Sequence, residues 1–577
     1  MIRLVLDSAA PLRRCAAFVL LLVASLTGCG SNGLDAGRRK AVASVGPGAL
    51  VATVNAGRDW LSYGRDYANR RYSPLRAVDT LSVQHLALHL SFHTGAGRVG
   101  SFQTSPVVVD GVMFVTTPED AVLAYDLRRR RVAWSYHPRL GTRLLCCGSP
   151  NRGVAVGHGL VFVGTLDARL VALDAATGVM RWVTQVDDPG EGYGITMAPL
   201  VVDSLVIVGM SGAEFGIRGH LSAYEARTGR LAWRFYTVPS PEEGGWWGPW
   251  RTTVSGGGAL PRNIERERAD SARFADAWRH GGGSVWVTPA YDPVTGRLFA
   301  SVGNPAPSFN GVPRPGDNLY TNSIVALDAA SGRLLWYHQF VPHDFWDYDP
   351  ASSPLLAEVG ARTLVLSAGK LGWLYALDPR DGALAARSAP FVPQENLFAP
   401  PTPAGVRVAP GADGGSSWSP LSYSPQTGLA YVVALHNPMI IFSDSAPYTR
   451  GKPWYGGHTS LPGPRWGTIS GIDPATGRIA WQVRTMQPMV GGSLVTAGGV
   501  VFAGEGDGWF RAYHAGTGRQ LWEYRTSTGV NAPPVTFEVD GEQFVAVAAG
   551  GNTQQGYPLG DEVLVFGQGS EGHPKEH

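Results

Sequence analysis

The segment LVALDAATGVMRW, residues 170–182, contains the pattern that decides the fold. It predicts two short strands joined by a turn, in the form apolar-x-Ala-apolar-Asp-x-x-x-Gly-x-apolar-x-Trp. Close copies recur further along the chain as LSAYEARTGRLAW (221–233), IVALDAASGRLLW (324–336), ISGIDPATGRIAW (469–481) and FRAYHAGTGRQLW (510–522). Such a repeat indicates that one structural unit is used several times.

Two degenerate copies extend this series. VLAYDLRRRRVAW (122–134) lacks the glycine, and LYALDPRDGALA (374–385) lacks the tryptophan. A hairpin with alternating β-branched residues precedes each copy, as in VAVGHGLVFVGT (154–165), so one unit contains four short strands. A last unit, 532–566, follows the seven copies and brings the count to eight.

We therefore predict an all-β fold, an eight-bladed β-propeller of four-stranded antiparallel blades. Closing the ring protects the strand edges, and a strand from residues 51–92 is expected to complete the final blade. The repeated glycine would supply a tight turn, and the repeated tryptophan would dock between neighbouring blades. Insertions at 239–283 and 389–416 are rich in Gly, Pro and Trp, and loops of this kind often shape a site.

The composition agrees with an all-β protein. Charged residues make up 16% of the 577 residues, while Gly numbers 75 and Trp 18, which favours tight turns and packed aromatic rings over long solvated helices. The net charge is +2, and no run of basic residues is longer than 128–131. Nothing in the sequence therefore supports nucleic-acid binding.

The N-terminus has the features of an export signal. Arg13 and Arg14 precede an apolar run, 16–26, that is too short to span a bilayer comfortably. The run ends in Leu-Thr-Gly-Cys29, which resembles a bacterial lipoprotein signal in which Cys29 is lipidated. An ordinary signal peptide cut elsewhere and twin-arginine export are the alternatives. Each of these predicts a protein that leaves the cytoplasm. We expect it to be periplasmic and anchored to a membrane through lipid on Cys29, or otherwise secreted.

The chain is accordingly divided into four parts. Residues 1–28 are interpreted as a signal peptide of the lipoprotein type, 29–50 as a linker, 51–567 as the propeller, and 568–577 as a disordered tail.

Two of the four cysteines, Cys146 and Cys147, lie outside the N-terminal segment. Adjacent cysteines in an oxidising compartment can close a strained disulfide ring, which adds little to global stability because its loop is minimal. The sequence contains no Cys-x-x-Cys-His motif, so it carries no attachment site for c-type haem.

Several short motifs occur one unit after another along the chain. In order they are CCGSPNRGVAV (146–156), GITMAP (194–199), SGAEFGIRGHLSAY (211–224), GGGSVW (281–286), VGNPAP (302–307), RPGDN (314–318) and PHDFWDYD (342–349). Together they resemble the pyrroloquinoline quinone (PQQ) alcohol and methanol dehydrogenases, over about residues 60–567. No single motif carries the resemblance alone.

The resemblance implies a metal site. Glu214 and Asn304 would bind the metal through oxygen, and Asp347 would lie beside the same ion and act as the catalytic base. Hard oxygen ligands suit Ca²⁺ or a lanthanide ion. An isolated carboxylate is usually a surface residue, so this assignment depends on the ordered set of motifs.

Asp349 completes the sequence Asp-Tyr-Asp and adds a negative oxygen ligand. In this family an acid at that position is associated with lanthanide use, because a trivalent ion offsets the repulsion between crowded carboxylates better than Ca²⁺ does. We therefore favour a lanthanide over Ca²⁺. The alternatives are a divalent ion, as in the related membrane glucose dehydrogenases, and a role for Asp349 in capping a turn.

The resemblance also implies a PQQ site, in which Trp286 forms the stacking floor and the Cys146–Cys147 ring the ceiling. The residues that would hydrogen-bond the cofactor carboxylates and carbonyls are Arg152, Thr196, Ser211, Gly212 and Ala213, with Lys370 at the reactive carbonyls. Each has a structural alternative: a blade-packing role for Trp286, a surface salt bridge for Arg152, and a solvated turn for Lys370.

The implied reaction is oxidation of an alcohol. The metal would polarise the C5 carbonyl of PQQ, Asp347 would remove the hydroxyl proton, hydride would pass to C5, and Lys370 would stabilise the negative charge on the quinone oxygens. A separate cytochrome c or similar carrier is the expected electron acceptor. Primary alcohols are the default substrates, with sugars, polyols and aldehydes left open.

The main rival is a propeller lipoprotein that serves as a scaffold in outer-membrane protein assembly, without catalysis. The fold and the lipid anchor cannot separate the two functions. The metal and quinone residues can, because a scaffold has no reason to keep them. A family member that has become a sensor is a third possibility.

Overall fold

The repeated segments form the third and fourth strands of four-stranded antiparallel sheets. The computed structural model of the chain describes residues 33–52 and 57–569. Within these ranges the strands assemble into nine sheets, of which eight contain a run of four antiparallel strands. The all-β propeller architecture is thus confirmed, while the number of blades in one closed ring stays a prediction.

Each strand is short. The first eighteen are β1 (Tyr72–Ser73), β2 (Leu86–His93), β3 (Val107–Val109), β4 (Val112–Thr116), β5 (Val122–Asp126), β6 (Arg131–Tyr136), β7 (Ala155–Gly157), β8 (Leu160–Gly164), β9 (Arg169–Asp174), β10 (Met180–Gln185), β11 (Leu200–Val202), β12 (Leu205–Gly209), β13 (His220–Glu225), β14 (Leu231–Tyr236), β15 (Ala290–Asp292), β16 (Arg297–Val302), β17 (Ser323–Asp328) and β18 (Leu334–Gln339). The others are β19 (Leu355–Val359), β20 (Arg362–Ala368), β21 (Leu374–Leu377), β22 (Leu384–Arg387), β23 (Val406–Val408), β24 (Ser422–Ser424), β25 (Leu429–His436), β26 (Met439–Ser443), β27 (Gly457–Ser460), β28 (Trp466–Ile472), β29 (Ile479–Thr485), β30 (Ser493–Thr496), β31 (Val500–Gly504), β32 (Trp509–His514), β33 (Gln520–Arg525), β34 (Val535–Val539), β35 (Glu542–Ala549) and β36 (Glu562–Gln568).

The strands are grouped in chain order with one important exception. The sheets are β3–β6, β7–β10, β11–β14, β15–β18, β19–β22, β24-β25-β28-β29, β30–β33 with β1 at its edge, and β34–β36 with β2, and the small sheet β23-β26-β27 is the ninth in the described part of the chain. The exception is β2, which pairs antiparallel with β36 from the far end of the chain. This pairing confirms that a strand from 51–92 completes the last four-stranded sheet.

The repeated tryptophans link successive sheets. Each indole Nε1 donates a hydrogen bond to a backbone carbonyl in the turn of the next repeat. For the last tryptophan, Trp522, the accepting carbonyl belongs to β2. The bonds are Trp134 to Ala175 at 3.1 Å, Trp182 to Ala226 at 3.0 Å, Trp233 to Ala329 at 3.0 Å, Trp336 to Pro379 at 3.0 Å, Trp481 to Ala515 at 2.8 Å and Trp522 to Leu86 at 3.0 Å. Burying the ring while satisfying its N–H explains why tryptophan recurs at this position.

The inner strands form the core. All five residues of β4 are buried, whereas β10 at the outer edge alternates between exposed and half-buried side chains. The inner strands are therefore almost wholly apolar, because neighbouring sheets cover both of their faces.

Residues 33–52, which cover most of the segment interpreted as a linker (29–50) and the first two residues of the predicted propeller, contain two helices and pack against the sheets. They form α1 (Ala36–Ala43) and α2 (Pro47–Ala52). Arg38 pairs with the buried Asp126, and Val42 belongs to the same core cluster as the first sheets. The predicted signal peptide and Cys29 lie outside the described residues, as do 570–577 of the predicted tail.

The remaining helices are short. They are α3 (Ile264–Asp270), in the first predicted insertion, and the 3₁₀ turns Ser82–His85, Pro189–Glu191, Ala213–Phe215, Pro241–Glu243 and Ala277–His280. In the part of the chain that the structure describes, no helix is both long enough and apolar enough to cross a membrane.

Candidate active site

The predicted site residues lie at one end of the sheets. Arg152 precedes the first strand of its sheet, β7, and Asp347 precedes β19. Glu214 follows the second strand of its sheet, β12, and Lys370 follows β20. Because adjacent antiparallel strands run in opposite directions, the start of a first strand and the end of a second strand meet at the same edge.

These residues line one cavity, with about 820 Å³ of space including that open to solvent. Ten of the predicted site residues contribute to its wall, namely Cys146, Cys147, Arg152, Thr196, Ser211, Gly212, Glu214, Trp286, Asp347 and Lys370. Cys146 and Cys147 are joined by a disulfide, as the sequence suggested. A cavity of this size, in which aromatic and apolar side chains meet converging polar and charged groups, is typical of a cofactor or ligand site.

Three of the predicted residues, Ala213, Asn304 and Asp349, do not line this cavity. The backbone N–H of Ala213 donates to Ser284 Oγ at 2.9 Å, so this donor is already paired within the protein. Asn304 is buried, and its Nδ2 donates to Ser308 Oγ at 3.1 Å. No described residue donates to Asn304 Oδ1, which leaves this oxygen available as a ligand.

Lys370 bridges two carboxylates at the base of the cavity. Its Nζ lies 2.8 Å from Asp347 Oδ1 and 2.7 Å from Asp349 Oδ1. The Asp349 side chain is 1% exposed, and its Oδ2 has no hydrogen-bond partner among the described residues. Asp349 therefore does not cap a turn, and Lys370 is a buried ion-pair partner and not a solvated turn residue.

The carboxylates outnumber the cations around them. Glu214 lines the same cavity, and neither Lys nor Arg among the described residues forms an ion pair with it. Burial raises the pKa of Glu214, and burial together with the nearby Asp349 raises the pKa of Asp347 well above its usual range despite Lys370. Burial lowers the pKa of Lys370, but its two ion pairs outweigh this effect and hold the pKa above its ordinary value.

This arrangement fits a metal ion. Among the described residues, Asp347 and Asp349 share one ammonium and Glu214 has no ion-pair partner, and a multivalent cation is the group that would offset this excess negative charge. The orphaned Asp349 Oδ2 and the free Asn304 Oδ1 are hard oxygen donors of the kind that Ca²⁺ and lanthanides bind. Asp347 has a left-handed backbone with φ 66°, a conformation that often marks functional residues.

Arg152 is a positively charged residue in the wall of the same cavity. Its guanidinium carbon lies 5.0 Å from the ring centroid of Trp286 and 5.0 Å from that of Trp418, and its Nη1 donates to Thr196 Oγ1 at 3.0 Å. No carboxylate among the described residues pairs with it, and burial lowers its pKa to about 10. A buried guanidinium that no protein carboxylate neutralises is suited to bind a ligand that carries a carboxylate.

The match to a family model decides the identity of the chain. Residues 60–387 and 442–545 match the model described as "PQQ: Glucose/ethanol/alcohol dehydrogenase, beta-propeller domain". The chain belongs to the PQQ-dependent alcohol dehydrogenase family. The resemblance drawn from the ordered motifs is thereby confirmed.

Relatives and solved structures of this family agree. The chain is 36% identical over 542 residues to the quinohemoprotein alcohol dehydrogenase ADH IIB of Pseudomonas putida, covering 88% of this chain and 76% of the relative. It superposes on the quinohemoprotein alcohol dehydrogenase of Comamonas testosteroni with a TM-score of 0.81 and 32% identity, covering 94% and 85% of the two chains. A europium-containing methanol dehydrogenase gives a TM-score of 0.78 at 29% identity, with 90% and 100% covered.

Sequence reasoning missed several residues of the cavity, and three of them bear on the site. Ser284, which accepts from Ala213, lies inside the motif GGGSVW and could have been found there. Trp418, which packs on Arg152, follows the second predicted insertion. Asp413 lies within that insertion and lines the cavity, and no local pattern marks it.

Proposed function

We propose that the chain is a periplasmic quinoprotein alcohol dehydrogenase that oxidises an alcohol to an aldehyde, with PQQ and one metal ion in the cavity lined by Trp286 and the Cys146–Cys147 disulfide. The observation that carries the proposal is the local excess of negative charge: among the described residues, the half-buried Asp347 and the buried Asp349 share the ammonium of Lys370, and the half-buried Glu214 has no ion-pair partner.

The metal would be held by Glu214, Asn304, Asp347 and Asp349. We favour a lanthanide over Ca²⁺, because each added carboxylate increases the repulsion that the ion must offset. The europium in the structurally similar methanol dehydrogenase supports this choice.

PQQ would be held by the aromatic face of Trp286, the disulfide, and the polar groups of Arg152, Thr196, Ser211 and Gly212. Arg152 would pair with a cofactor carboxylate, since no described carboxylate neutralises it. When bound, PQQ supplies a carbonyl carbon that accepts hydride from the alcohol, and the metal supplies a Lewis acid that polarises this carbonyl.

Asp347 is the proposed base. Its carboxylate lies on the cavity wall, where it would accept the proton of a substrate hydroxyl, and the ion pair to Lys370 holds it in place. Lys370 forms ion pairs with Asp347 and Asp349 and would also stabilise negative charge on an oxygen placed beside its ammonium.

The electrons would leave through a separate cytochrome c or a similar carrier. The sequence has no Cys-x-x-Cys-His motif, which supports a separate acceptor. The N-terminal signal pattern and the disulfide support a periplasmic location, with Cys29 as the proposed lipid anchor. Family membership favours this enzyme over the scaffold function.

The test is to reconstitute the purified protein with PQQ and either La³⁺ or Ca²⁺ and follow dye reduction with a panel of alcohols. We expect turnover that requires both PQQ and metal, and a loss of about a thousandfold or more in kcat for Asp347→Ala. Asp444→Asn, an exposed carboxylate outside the cavity, should leave turnover unchanged. The proposal fails if no alcohol drives dye reduction, or if Asp347→Ala keeps full activity.

A further inference from the structure

A second cavity adjoins the first and is here called the outer chamber. Both cavities share Cys146, Cys147, Glu214, Asp347, Asp413 and Gln554 as walls. The outer chamber has about 710 Å³ of space, including that open to solvent, and the rings of Phe309 and Tyr455 and the side chain of Met439 give it apolar walls. Because Asp347 also lines the outer chamber, we infer that a substrate would approach Asp347 from there when a cofactor fills the first cavity.

Asp413 is the carboxylate of the outer chamber that the reaction does not use. Its Oδ1 accepts a hydrogen bond from Gln554 Nε2 at 2.8 Å, and no described residue donates to its Oδ2. Lys370 pairs with Asp347 and Asp349 and not with Asp413. The half-buried Asp413 thus presents one free carboxylate oxygen at the junction of the two cavities.

The loop that carries Asp413 is held tightly. A Cβ added at Gly414 would lie 2.4 Å from Pro410 Cβ, and one added at Gly415 would lie 2.3 Å from the carbonyl oxygen of Gly369. Close backbone packing of this kind leaves the loop little freedom. Asp413 is therefore presented to the chamber in a fixed position.

We propose that Asp413 is a specificity-determining residue that binds a second hydrogen-bond donor of the substrate, a hydroxyl or an ammonium group remote from the carbon that is oxidised. The inference rests on the proposed function. A simple alkanol that fills the chamber would remove water from Asp413 Oδ2 and offer no donor in return, which is unfavourable. A diol or an amino alcohol would lie against the same apolar walls and satisfy this oxygen.

The experiment compares kcat/KM for n-butanol, the terminal diol and the terminal amino alcohol of the same length, with the holoprotein carrying PQQ and metal. The wild type should prefer the diol and the amino alcohol over n-butanol by about tenfold or more. Asp413→Ala should abolish both preferences. Asp413→Asn, which keeps an acceptor but no charge, should retain the preference for the diol and lose that for the amino alcohol. Asp444→Asn, outside both cavities, is the matched control and should keep both.

Two results would overturn the proposal: a wild type without preference, or preferences that survive in Asp413→Ala. The second result would also be seen if Asp413 had only a structural role, because its loss would then lower kcat/KM for all three substrates by the same factor and leave their ratios unchanged.

A binding measurement separates this proposal from the proposed function. A tertiary alcohol has no hydrogen on its carbinol carbon and cannot be oxidised, so calorimetry can compare its affinity with and without a terminal amino group. We expect about tenfold tighter binding of the amino compound, lost in Asp413→Ala. If this difference appears without turnover of any alcohol, the proposed function fails and the binding role stands. If alcohols are oxidised and the difference is absent, the binding role fails alone.

Discussion

The ammonium of Lys370 lies 2.7 Å from Oδ1 of Asp349, while Oδ2 of the same carboxylate is buried without a hydrogen-bond partner in the described part of the chain. One oxygen of Asp349 is thus neutralised by the protein, and the other remains for a ligand. A buried carboxylate oxygen is costly unless something pairs with it, so this position indicates a bound cation.

The first prediction concerns the choice of metal. Asp349→Ala removes one negative ligand, so it should abolish turnover supported by La³⁺ and preserve turnover supported by Ca²⁺, which needs fewer negative ligands. Dye-linked activity of the reconstituted variant with each metal measures the effect. Equal La³⁺-supported activity in the variant and the wild type would refute the role of Asp349.

The second prediction concerns the cofactor. Arg152→Met removes the buried guanidinium that no described carboxylate neutralises, so PQQ should lose a charge-assisted partner and bind about tenfold to a hundredfold more weakly. The measurement is the rise in melting temperature on adding PQQ, which reports affinity for the folded state. The same variant without PQQ is the control for stability, and an undiminished PQQ-induced rise would contradict the assignment.

The third prediction tests the contact between repeats. A Cβ added at Gly229 would lie 2.6 Å from the ring of Trp182 in the preceding repeat, whereas one added at Gly296 would meet nothing within 4 Å. Both glycines have a left-handed backbone, with φ of 71° and 68°. Gly296→Ala should therefore show the backbone cost alone, about 1 kcal/mol, and Gly229→Ala should cost about 2 kcal/mol more because the indole must move. Thermal unfolding compares the two variants. Equal losses of stability would show that Gly229 is needed only for the backbone conformation of the turn and not for the contact with Trp182.

The fourth prediction concerns pH. Burial raises the pKa of Asp120 to about 7, although its carboxylate accepts from Asn151 Nδ2 at 2.8 Å and from the N–H of Leu166 at 2.6 Å. The folded protein then holds a proton that the unfolded chain releases near pH 4, so this group lowers stability as the pH rises from about 4 to 7. Asp120→Asn removes the titration. Relative to the wild type, its free energy of unfolding should rise by roughly 3 kcal/mol between these pH values, and a pH-independent difference would contradict the shift.

The fold was predictable because the repeat encodes it locally. The pattern in 170–182 fixes two strands, their turn and the docking tryptophan at once, and each of these has a direct contact in the structure. The helices in 33–52 were not predicted, because α1 is only eight residues long and is stabilised by tertiary contacts such as that between Arg38 and Asp126. The sheet of β23, β26 and β27 pairs β23 with β26 across the intervening strands β24 and β25, and no repeat in the sequence predicts this pairing.

The site was predictable in part. Ten of the predicted residues share one cavity because they occupy equivalent ends of strands in successive repeats, a relationship that order along the chain preserves. Ala213, Asn304 and Asp349 do not line this cavity, since side-chain direction depends on packing that the sequence does not specify. Asp413 lies in the second insertion and Trp418 just after it, and the path of this segment depends on contacts with distant residues.

The most direct test of the proposed chemistry is a single turnover without an added acceptor. Alcohol is mixed anaerobically with the protein reconstituted with PQQ and metal, and the absorption spectrum of the bound quinone is followed. We predict that about one PQQ per chain is reduced, that reduction needs the metal, and that Asp347→Ala retains bound PQQ while its reduction slows by about a thousandfold or more. Reduction at the wild-type rate in Asp347→Ala, or an unchanged spectrum in the wild type, would contradict the role given to this site.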